Sequence, residues 1–530
     1  MIAISPALTQ TIDATAEEAL GIPTVELMRR AGLAVAQEAA KHAVGSGVLI
    51  LAGCGNNGGD GYAAACALIR SGYRVAVIDV TGRGQRSPAG QHFLREYRRL
   101  DAERVRRATE AIDRDLIKGR LSREDRNARA LALKNPETLE EARGFRHACL
   151  VDAILGTGAL LPVSEALLPA AALIRESTAY KLAVDLPLGV DADGGTVDPC
   201  ATPVDETVVL GFPKHGLYSY PACTYVGRLT VNDIGLNTPS LRALIRLPEE
   251  LTATEDIPAM LPHRPQNGHK GSFGHLLLLC GSPRYRGAAL MAAEAALRMG
   301  AGLVTLASDD SVTAAAVSRL PELITERFVG GEPSPELLAR KSAILVGPGC
   351  EPEGLLPLLK TLLTTEGAPT VLDAGALTAL AAEGEGGLAL LRSPARPVVL
   401  TPHPAEMARL LGTTVEAVQA ERLALARRFT AEHRTVLVLK GARTVIADGE
   451  QFTVNLTGGS ALAKGGSGDV LAGAIASLIA SGVAPYEAAR LAVCLHGAAG
   501  DRLATRLSSL GVRPTDLPAE MAALLAEAEA

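Results

Sequence analysis

Two glycine-rich segments hold the side chains with the most chemical capacity. The first, residues 53–61, reads GCGNNGGDG. Gly53, Gly55 and Gly58 keep the spacing G-x-G-x-x-G after an apolar run and before a helical stretch, and Asp79 closes the next apolar run. On pattern this is a dinucleotide fingerprint that sets phosphates on a helix N-terminus. The same glycines would also suit a tight turn needed only for helix–strand packing. Asn56, Asn57 and Asp60 add amide and carboxylate oxygens, the donors that hard cations take. Asp152, in CLVDAILGTGAL, and Asp185, in KLAVDLPLGV, end two further apolar runs. Either alone is a loop cap. Both at one sheet edge beside NNGGD make a site, because parallel sheets hold ligands at the carboxyl ends of their strands. Lys214, in GFPKHG, is either an electrostatic contact to a phosphate or a solvated strand-end lysine.

The second segment, residues 457–473, reads TGGSALAKGGSGDVLAG. Gly465, Gly466 and Gly468 let the backbone turn several N–H groups toward one point, and a helix starting near Val470 adds its positive end. That is an anion hole suited to a phosphoryl group in transfer. Asp469 stands at its mouth, where a carboxylate accepts the proton of an attacking hydroxyl. A lone Gly-Asp would be a helix cap; the glycine-rich surroundings favour catalysis. Upstream, Lys440-Gly441-Ala442-Arg443-Thr444 ends an apolar run, with Lys440 and Thr444 able to reach phosphate oxygens. In TPHPAEM, Pro402 and Pro404 stiffen the chain around His403, which favours a ligand contact by a fixed imidazole. Gly347-Pro348-Gly349 and Gly300-Ala301-Gly302 keep bulk away from places where a ligand comes close.

These residues need a scaffold, and the apolar runs supply it. Residues 21–43 have helical spacing with Pro23 near the start. Residues 46–51 read as a strand, 62–70 as a helix and 73–80 as a strand, then 147–155, 181–188 and 206–212 as buried strands. A largely parallel sheet with helices on both faces follows. Residues 82–146 are rich in Arg and acidic residues and read as solvated helices, an insertion or an oligomer contact. The strand–helix rhythm lapses from about 238 to 262. It resumes with strands at 274–281, 302–308, 343–349, 369–375, 397–403 and 435–441, and Val470 to Ala484 reads as a buried helix. The fold class is α/β, two layered domains with mostly parallel sheets.

Length and composition bound the rest. At 530 residues the chain has room for two large domains. Apolar residues make up 48% and charged residues 21%, which excludes a disordered chain. With 52 basic and 58 acidic residues the net charge is −6, and aromatics make up 3% with no Trp. Such a chain lacks both the cationic field and the stacking platforms of a nucleic-acid binder. The eight Cys form no CxxC pair, so reduced thiols in a cytoplasmic protein are expected. No signal peptide and no membrane span is expected.

The pieces GIPTVELMRRAG, GCGNNGGDGYAAA, VDAILGTGA, VDLPLGVDADGG and VVLGFPKHGL, in that order, resemble the NAD(P)H-hydrate epimerase domain, a Rossmann-like fold. The likeness covers roughly residues 1–237. It implies that Asn56, Asn57, Gly58, Gly59 and Asp60, with Gly156, Thr157, Gly158, Ala159, Leu160, Leu161 and Pro162, hold the hydrated nucleotide, with Glu165 a weaker candidate. It implies Asp185 as acid/base and substrate contact. It also implies potassium, with Asn57 and Asp152 as ligands. Leu188 stands where the family usually has Ser, so that only its backbone carbonyl remains as a metal donor there.

HKGSFGHLLLLCGSPRYRGAALMAAEAALRMGAGLVTLAS, VGPG, TPHPAEM, LKGART and GGSGDVLAG resemble the carbohydrate-kinase-like NAD(P)H-hydrate dehydratase domain, of ribokinase-like fold, over about 250–530. Residues 238–249 then form a linker. The resemblance implies that Ala301, Gly349, His403 and Asp469 contact the hydrated nucleotide. It implies that Lys440, Gly441, Ala442, Arg443, Thr444 and Gly468 contact the adenine nucleotide. Two departures are Ala405, where Gly is usual, and Lys464, where a small residue or Thr is usual. Together the halves imply a bifunctional repair enzyme for hydrated NADH and NADPH, one domain interconverting R and S hydrates and the other dehydrating the S hydrate. ADP, with ATP as the alternative, magnesium and a homo-oligomer are implied. A same-fold rival is a small-molecule kinase joined to a nucleotide-binding regulatory domain.

Overall fold

Unbroken runs of Val, Leu, Ile and Ala need cover on both faces, and parallel strands under helices provide it. The computed structural model describes residues 2–43, 46–118, 120–245 and 249–530. The chain divides into two compact units, Ile2–Arg246 and Leu247–Ala530.

In the first unit the strands are β1 (Gly47–Ala52), β2 (Val75–Asp79), β3 (His147–Ala153), β4 (Tyr180–Val184), β5 (Glu206–Leu210) and β6 (Arg228–Asn232). They lie in the order β2-β1-β3-β4-β5-β6, every pair parallel. The period of two sorts the side chains of β1 into two cores. Val48, Ile50 and Ala52 meet helices α1 (Pro6–Leu20), α2 (Thr24–His42) and α3 (Asn56–Arg70). Leu49 and Leu51 meet α4 (Leu168–Glu176) on the other face. The strand order reverses between β1 and β3, which opens a crevice at their carboxyl ends. NNGGD leaves β1 and GTG leaves β3 at that crevice.

The expected helix at 62–70 begins six residues earlier, at Asn56, so NNGGD is the first turn of α3 rather than a loop before it. Packing outweighs the low helix propensity of glycine here. A Cβ on Gly58 would overlap the Gly53 carbonyl, and one on Gly59 would lie 2.6 Å from the Met28 methyl. The expected strands at 181–188 and 206–212 stop at Val184 and Leu210, because Asp185 (φ 66°) and Gly211 (φ 73°) turn the chain. Within 82–146, the helix Pro88–Ile117 buries only Ala89, Gly90, Phe93 and Tyr97, and the helix Arg123–Ala132 buries nothing. Solvated helices are what the charge pattern predicts. In the stretch read as a linker, Leu241 of a short helix (Pro239–Arg242) is fully buried in the first unit's core, and residues 246–248 lie outside the described residues.

The second unit has strands β7 (Glu249–Thr252), β8 (His275–Leu279), β9 (Leu303–Ser308), β10 (Ile324–Arg327), β11 (Ala343–Val346), β12 (Thr370–Leu372), β13 (Val398–Leu400), β14 (Val436–Leu439), β15 (Val445–Ala447) and β16 (Phe452–Asn455). Their order is β7-β16-β15-β14-β13-β12-β11-β8-β9-β10, with β15 antiparallel to both neighbours and the other pairs parallel. The sequence reading missed the strands β6, β7 and β10 and the pair β15 and β16. β15 and β16 are short, and they pair by the hairpin contacts Val445↔Val454 and Ala447↔Phe452. The helix expected from Val470 runs Ser467–Ala480 (α5) and is buried over nearly its whole length. It packs on Ala289, Ala292 and Ala293 of the helix Arg286–Arg298, so closely that a Cβ on Gly473 would overlap the Ala292 carbonyl. That contact seats α5 on the helix Arg286–Arg298.

Candidate functional site

In the first unit a cavity of about 560 Å³ opens at the β1/β3 crevice. Asn56, Asn57, Asp60, Gly156, Thr157, Gly158, Ala159 and Asp185 line it. Gly58 faces the Gly53 carbonyl and Gly59 faces Met28 of α2, away from the cavity, and Leu160, Leu161, Pro162 and Glu165 are not on the cavity wall. Gly53 is where the two loops touch: a Cβ there would overlap the Ile154 carbonyl. Asn57 donates from Nδ2 to the Leu155 carbonyl (2.7 Å), tying the α3 N-terminus to the GTG loop.

Asp185 sits at the end of β4 with φ 66°, a costly conformation for a residue with a Cβ and one that marks functional positions. Its carboxylate pairs with Lys214 and accepts from the Leu210 amide (3.3 Å). Lys214 is neither a solvated lysine nor a free phosphate contact. It is fully buried and held by Asp185, because a buried ammonium needs a carboxylate partner. Enclosure pushes Asp13 up to about 6, against the pull of Lys214 and with the charge of Asp185 adding to the rise. Burial, then the charges of Asp185 and Asp13, lift Asp60 well above the usual carboxylate range. Sequence reasoning missed Asp13, which lies on α1 far from any motif.

Asp152 is 1% exposed and accepts from the Leu188 amide (2.7 Å) and the Ile154 amide (3.2 Å). Burial pushes it up to about 6, opposed by those two amides, and it forms no ion pair among the described residues. The Leu188 side chain packs into the core on the α4 face. Asp79 is not open to a ribose: it accepts from the amides of Thr81 (3.0 Å), Gly82 (3.0 Å) and Gly84 (2.7 Å) of its own turn.

In the second unit the side chains gather around Lys440. Its Nζ lies 2.8 Å from Asp373 Oδ1 and 3.8 Å from Glu406 Oε2. A Cβ on Gly468 would lie 3.3 Å from the same Nζ, so Lys440 reaches the glycine turn itself. Burial by itself would lower the Lys440 ammonium, but Asp373, Glu406 and Asp469 outweigh it and raise it. Asp469, in the first turn of α5, is pushed up to about 7 by burial and then by Asp373 and Glu406, with Lys440 opposing. The first-turn amides of a helix have no intrahelical partner, so those of Gly468 and Asp469 remain for an anion.

His403 is fixed by capping the helix Pro404–Leu411: its Nδ1 accepts from the amides of Ala405 (3.1 Å) and Glu406 (3.3 Å). Burial, with Lys440 and Arg409 adding, lowers it against the pull of Glu406, leaving a neutral imidazole. Gly349 has φ 69°, and a Cβ there would crowd the Tyr285 carbonyl at 2.6 Å. The Ala301 amide donates to Ser477 Oγ (3.1 Å) on α5. In the KGART turn, Gly441 rests on Arg422, whose buried guanidinium donates to the Leu439 carbonyl (2.8 Å). Arg443 donates to the Leu456 carbonyl and Thr444 to that of Gly441 (3.0 Å), while Ala442 is exposed. Lys464 donates to the Leu510 carbonyl (2.7 Å), so the unusual lysine straps the turn to the C-terminal part of the chain.

Sequence reasoning missed Asp373, Glu406 and Arg422. Asp373 carried the strand-end signal already read at Asp152 and Asp185, and Glu406 lies three residues after His403 in a capping-box pattern. Arg422 carried none. Among the described residues no three His, Cys, Asp or Glu side chains are grouped to hold a metal by themselves.

Comparison with known proteins matches residues 24–216 to the YjeF-related protein N-terminus family and residues 276–522 to the NAD(P)H-hydrate dehydratase family. A bifunctional NAD(P)H-hydrate repair enzyme from Moorella thermoacetica is 36% identical, over 98% of this chain and 95% of its own. One of the same name from Coxiella burnetii is 33% identical over 94% of each. A solved structure of the Bacillus subtilis ADP/ATP-dependent NAD(P)H-hydrate dehydratase is 32% identical, covering 53% of this chain and 99% of that one with a TM-score of 0.48.

Proposed function

Because the chain belongs to the family of bifunctional NAD(P)H-hydrate repair enzymes, we propose that its two sites act in turn on one damaged nucleotide. The chain is an enzyme, an NAD(P)H-hydrate epimerase joined to an NAD(P)H-hydrate dehydratase. The first unit interconverts the R and S hydrates, and the second dehydrates the S hydrate. Relatives that match across both halves disfavour the rival small-molecule kinase.

The observation that carries the dehydratase reading is Asp469. It stands in the first turn of a buried helix beside Lys440, with its carboxyl held near neutrality. Its carboxylate takes the proton of the substrate hydroxyl as that oxygen attacks the terminal phosphorus of the adenine nucleotide. The free amides of Gly468 and Asp469 and the Lys440 ammonium stabilise the charge on the transferring group. Phosphate then leaves with the oxygen, the neighbouring ring carbon gives up a proton, and the ring double bond returns. With ADP the by-products are AMP and phosphate. His403, Ala301 and Gly349 shape the wall for the hydrated nucleotide, and residues 440–444 hold the adenine nucleotide. Magnesium fits this site, because it favours one or two carboxylates plus phosphates over an all-protein cage, and Asp373 and Glu406 supply two carboxylates while Asp469 stays the base. Bound there, it would neutralise phosphate charge.

In the first unit Asp185, paired with Lys214, is the acid/base of epimer exchange, and Asn56, Asn57, Asp60 and residues 156–159 hold the nucleotide. Purified chain with ADP and magnesium restores dihydronicotinamide absorbance from both hydrates. Asp185→Ala leaves the S hydrate rate unchanged and slows R hydrate use about a hundredfold. Equal R hydrate rates in both proteins would remove Asp185 from the mechanism, and no recovery from either hydrate would remove the function.

Potassium fits beside the GTG loop through Asn57, the Leu188 carbonyl and Asp152, a buried carboxylate with no cationic side chain on it among the described residues. Its binding to the folded chain raises the melting temperature in KCl above that in equal NaCl, and Asp152→Asn removes the difference. Equal melting in the two salts would mean that no potassium binds. We place the enzyme in the cytoplasm as a homo-oligomer. Eight Cys in 530 residues with no CxxC pair support the first, and the exposed Ile117 and Leu131 of the solvated helices support the second. No helix among the described residues is long and apolar enough to cross a membrane.

A further inference from the structure

We propose that Asp13, on α1, is a second proton-transfer residue of the epimer exchange, sharing the first cavity with Asp185. This rests on the reading of that cavity as the epimerase site.

The demand for two groups comes from the reaction. A dihydronicotinamide is an enamine, so water adds to the ring carbon next to nitrogen, and the hydrate is a carbinolamine. Inverting that carbon needs no redox step. The carbon–oxygen bond breaks as the nitrogen lone pair forms a carbon–nitrogen double bond, and the oxygen takes a proton and leaves as water. Water then bonds to the other face of the ring and gives a proton to a base. One proton is delivered on one face and one is accepted on the opposite face, so a single carboxyl group cannot serve both. The second must come from a different part of the wall.

The cavity offers such a group. Asp185 enters from the end of β4, and Asp13 enters from α1, a separate element. Lys214 is the ammonium that acts on both carboxyl groups, and it pairs with Asp185. Asp13 has no hydrogen bond or ion pair among the described residues, although it lines the cavity. The groups facing it are Asp60 from α3, Asp185 after β4 and Lys214 after β5. Lys214 and the exposed Arg86 are the cations on the cavity wall, and of these Lys214 is the one that acts on Asp13. Burial raises Asp60 as well, but Asp60 stands in the first turn of α3 among the residues assigned to hold the nucleotide, whereas Asp13, on a separate element and at about 6, can hold or release a proton. In the forward direction Asp13 gives its proton to the departing hydroxyl and Asp185 accepts one from the entering water. The reverse direction exchanges the roles, and solvent resets the pair.

The test uses the full chain with ADP and magnesium, following separated R and S hydrates and subtracting the enzyme-free exchange. Asp13→Asn lowers R hydrate use about a hundredfold with the S hydrate rate unchanged, and Asp13→Glu restores part of the loss. In the wild type, enzyme-dependent exchange falls as pH rises through about 6, since the pair needs one proton between its members, and this limb is absent in Asp13→Asn. Asp13→Ser is read alongside, with thermal melting of each variant, so that misfolding is separated from lost chemistry. R hydrate use within about twofold of wild type in Asp13→Asn or Asp13→Ser would overturn the proposal. So would a loss that leaves the pH profile unchanged. If Asp185→Ala retains full exchange as well, the reading of the cavity itself fails. If Asp185→Ala is inactive and Asp13→Asn is active, only the role of Asp13 fails.

Discussion

Asp469→Asn lowers dehydration of the S hydrate by about 10³-fold while the R and S hydrates still interconvert. Asn keeps the size of the side chain and the first turn of α5 but cannot accept the proton of the attacking hydroxyl. Epimer exchange survives because its residues all lie within Ile2–Arg246. Loss of both activities would contradict that separation. The same substitution has an opposite effect on stability. The folded chain holds the Asp469 carboxyl up at about 7 against the ordinary 3.8, so the folded state favours the protonated form. The stability that this group contributes is fully present below 3.8 and is lost as pH rises through about 7. Asn mimics the protonated form at every pH. At pH 8 the variant is therefore more stable than wild type, by on the order of 2 kcal/mol, and the difference vanishes in acid. Wild-type dehydration rises with pH through about 7, as the carboxyl becomes a base. A pH-independent rate between 6 and 8, with chemistry shown to be the slow step, would count against Asp469 as the base.

Lys440→Met carries the second large effect. It removes the ammonium 2.8 Å from Asp373 and leaves Asp373, Glu406 and Asp469 facing one another without a cation. Removing one partner of a buried ion pair costs about 3–5 kcal/mol, since the charge left behind remains desolvated. Dehydration falls with it, because Lys440 reaches the glycine turn that receives the phosphoryl group. The double variant Lys440→Met with Asp373→Asn regains most of the stability and none of the activity. Denaturant melts compared with S hydrate rates check both statements. A single variant as stable as wild type would show that Lys440 does not hold these carboxylates together.

The residues that were legible in the sequence share one property: they sit in local patterns. NNGGD, GTG and GGSGD are glycine-rich because backbone comes within contact distance of other backbone, as Gly53 does at Ile154. Asp152 and Asp185 stand at strand ends, which an apolar run announces. The residues that were not legible act through contacts distant in sequence. Asp13 feels the charge of Lys214 across some two hundred positions, Asp373 meets Lys440 at a separation of 67, and Arg422 supports the KGART turn from a helix before β14. No periodicity or spacing carries such pairs.

By itself the sequence determined the two parallel α/β units, the two glycine turns and the carboxylates at the strand ends. Those follow from hydrophobic period and from the need for glycine where chains touch. Only the tertiary structure decided how each ionisable group is charged. It buried Lys214 against Asp185, raised Asp13 and Asp469 toward neutrality, and turned NNGGD into the first turn of a helix. Protonation depends on desolvation and on neighbouring charges within a few ångströms, and folding sets both.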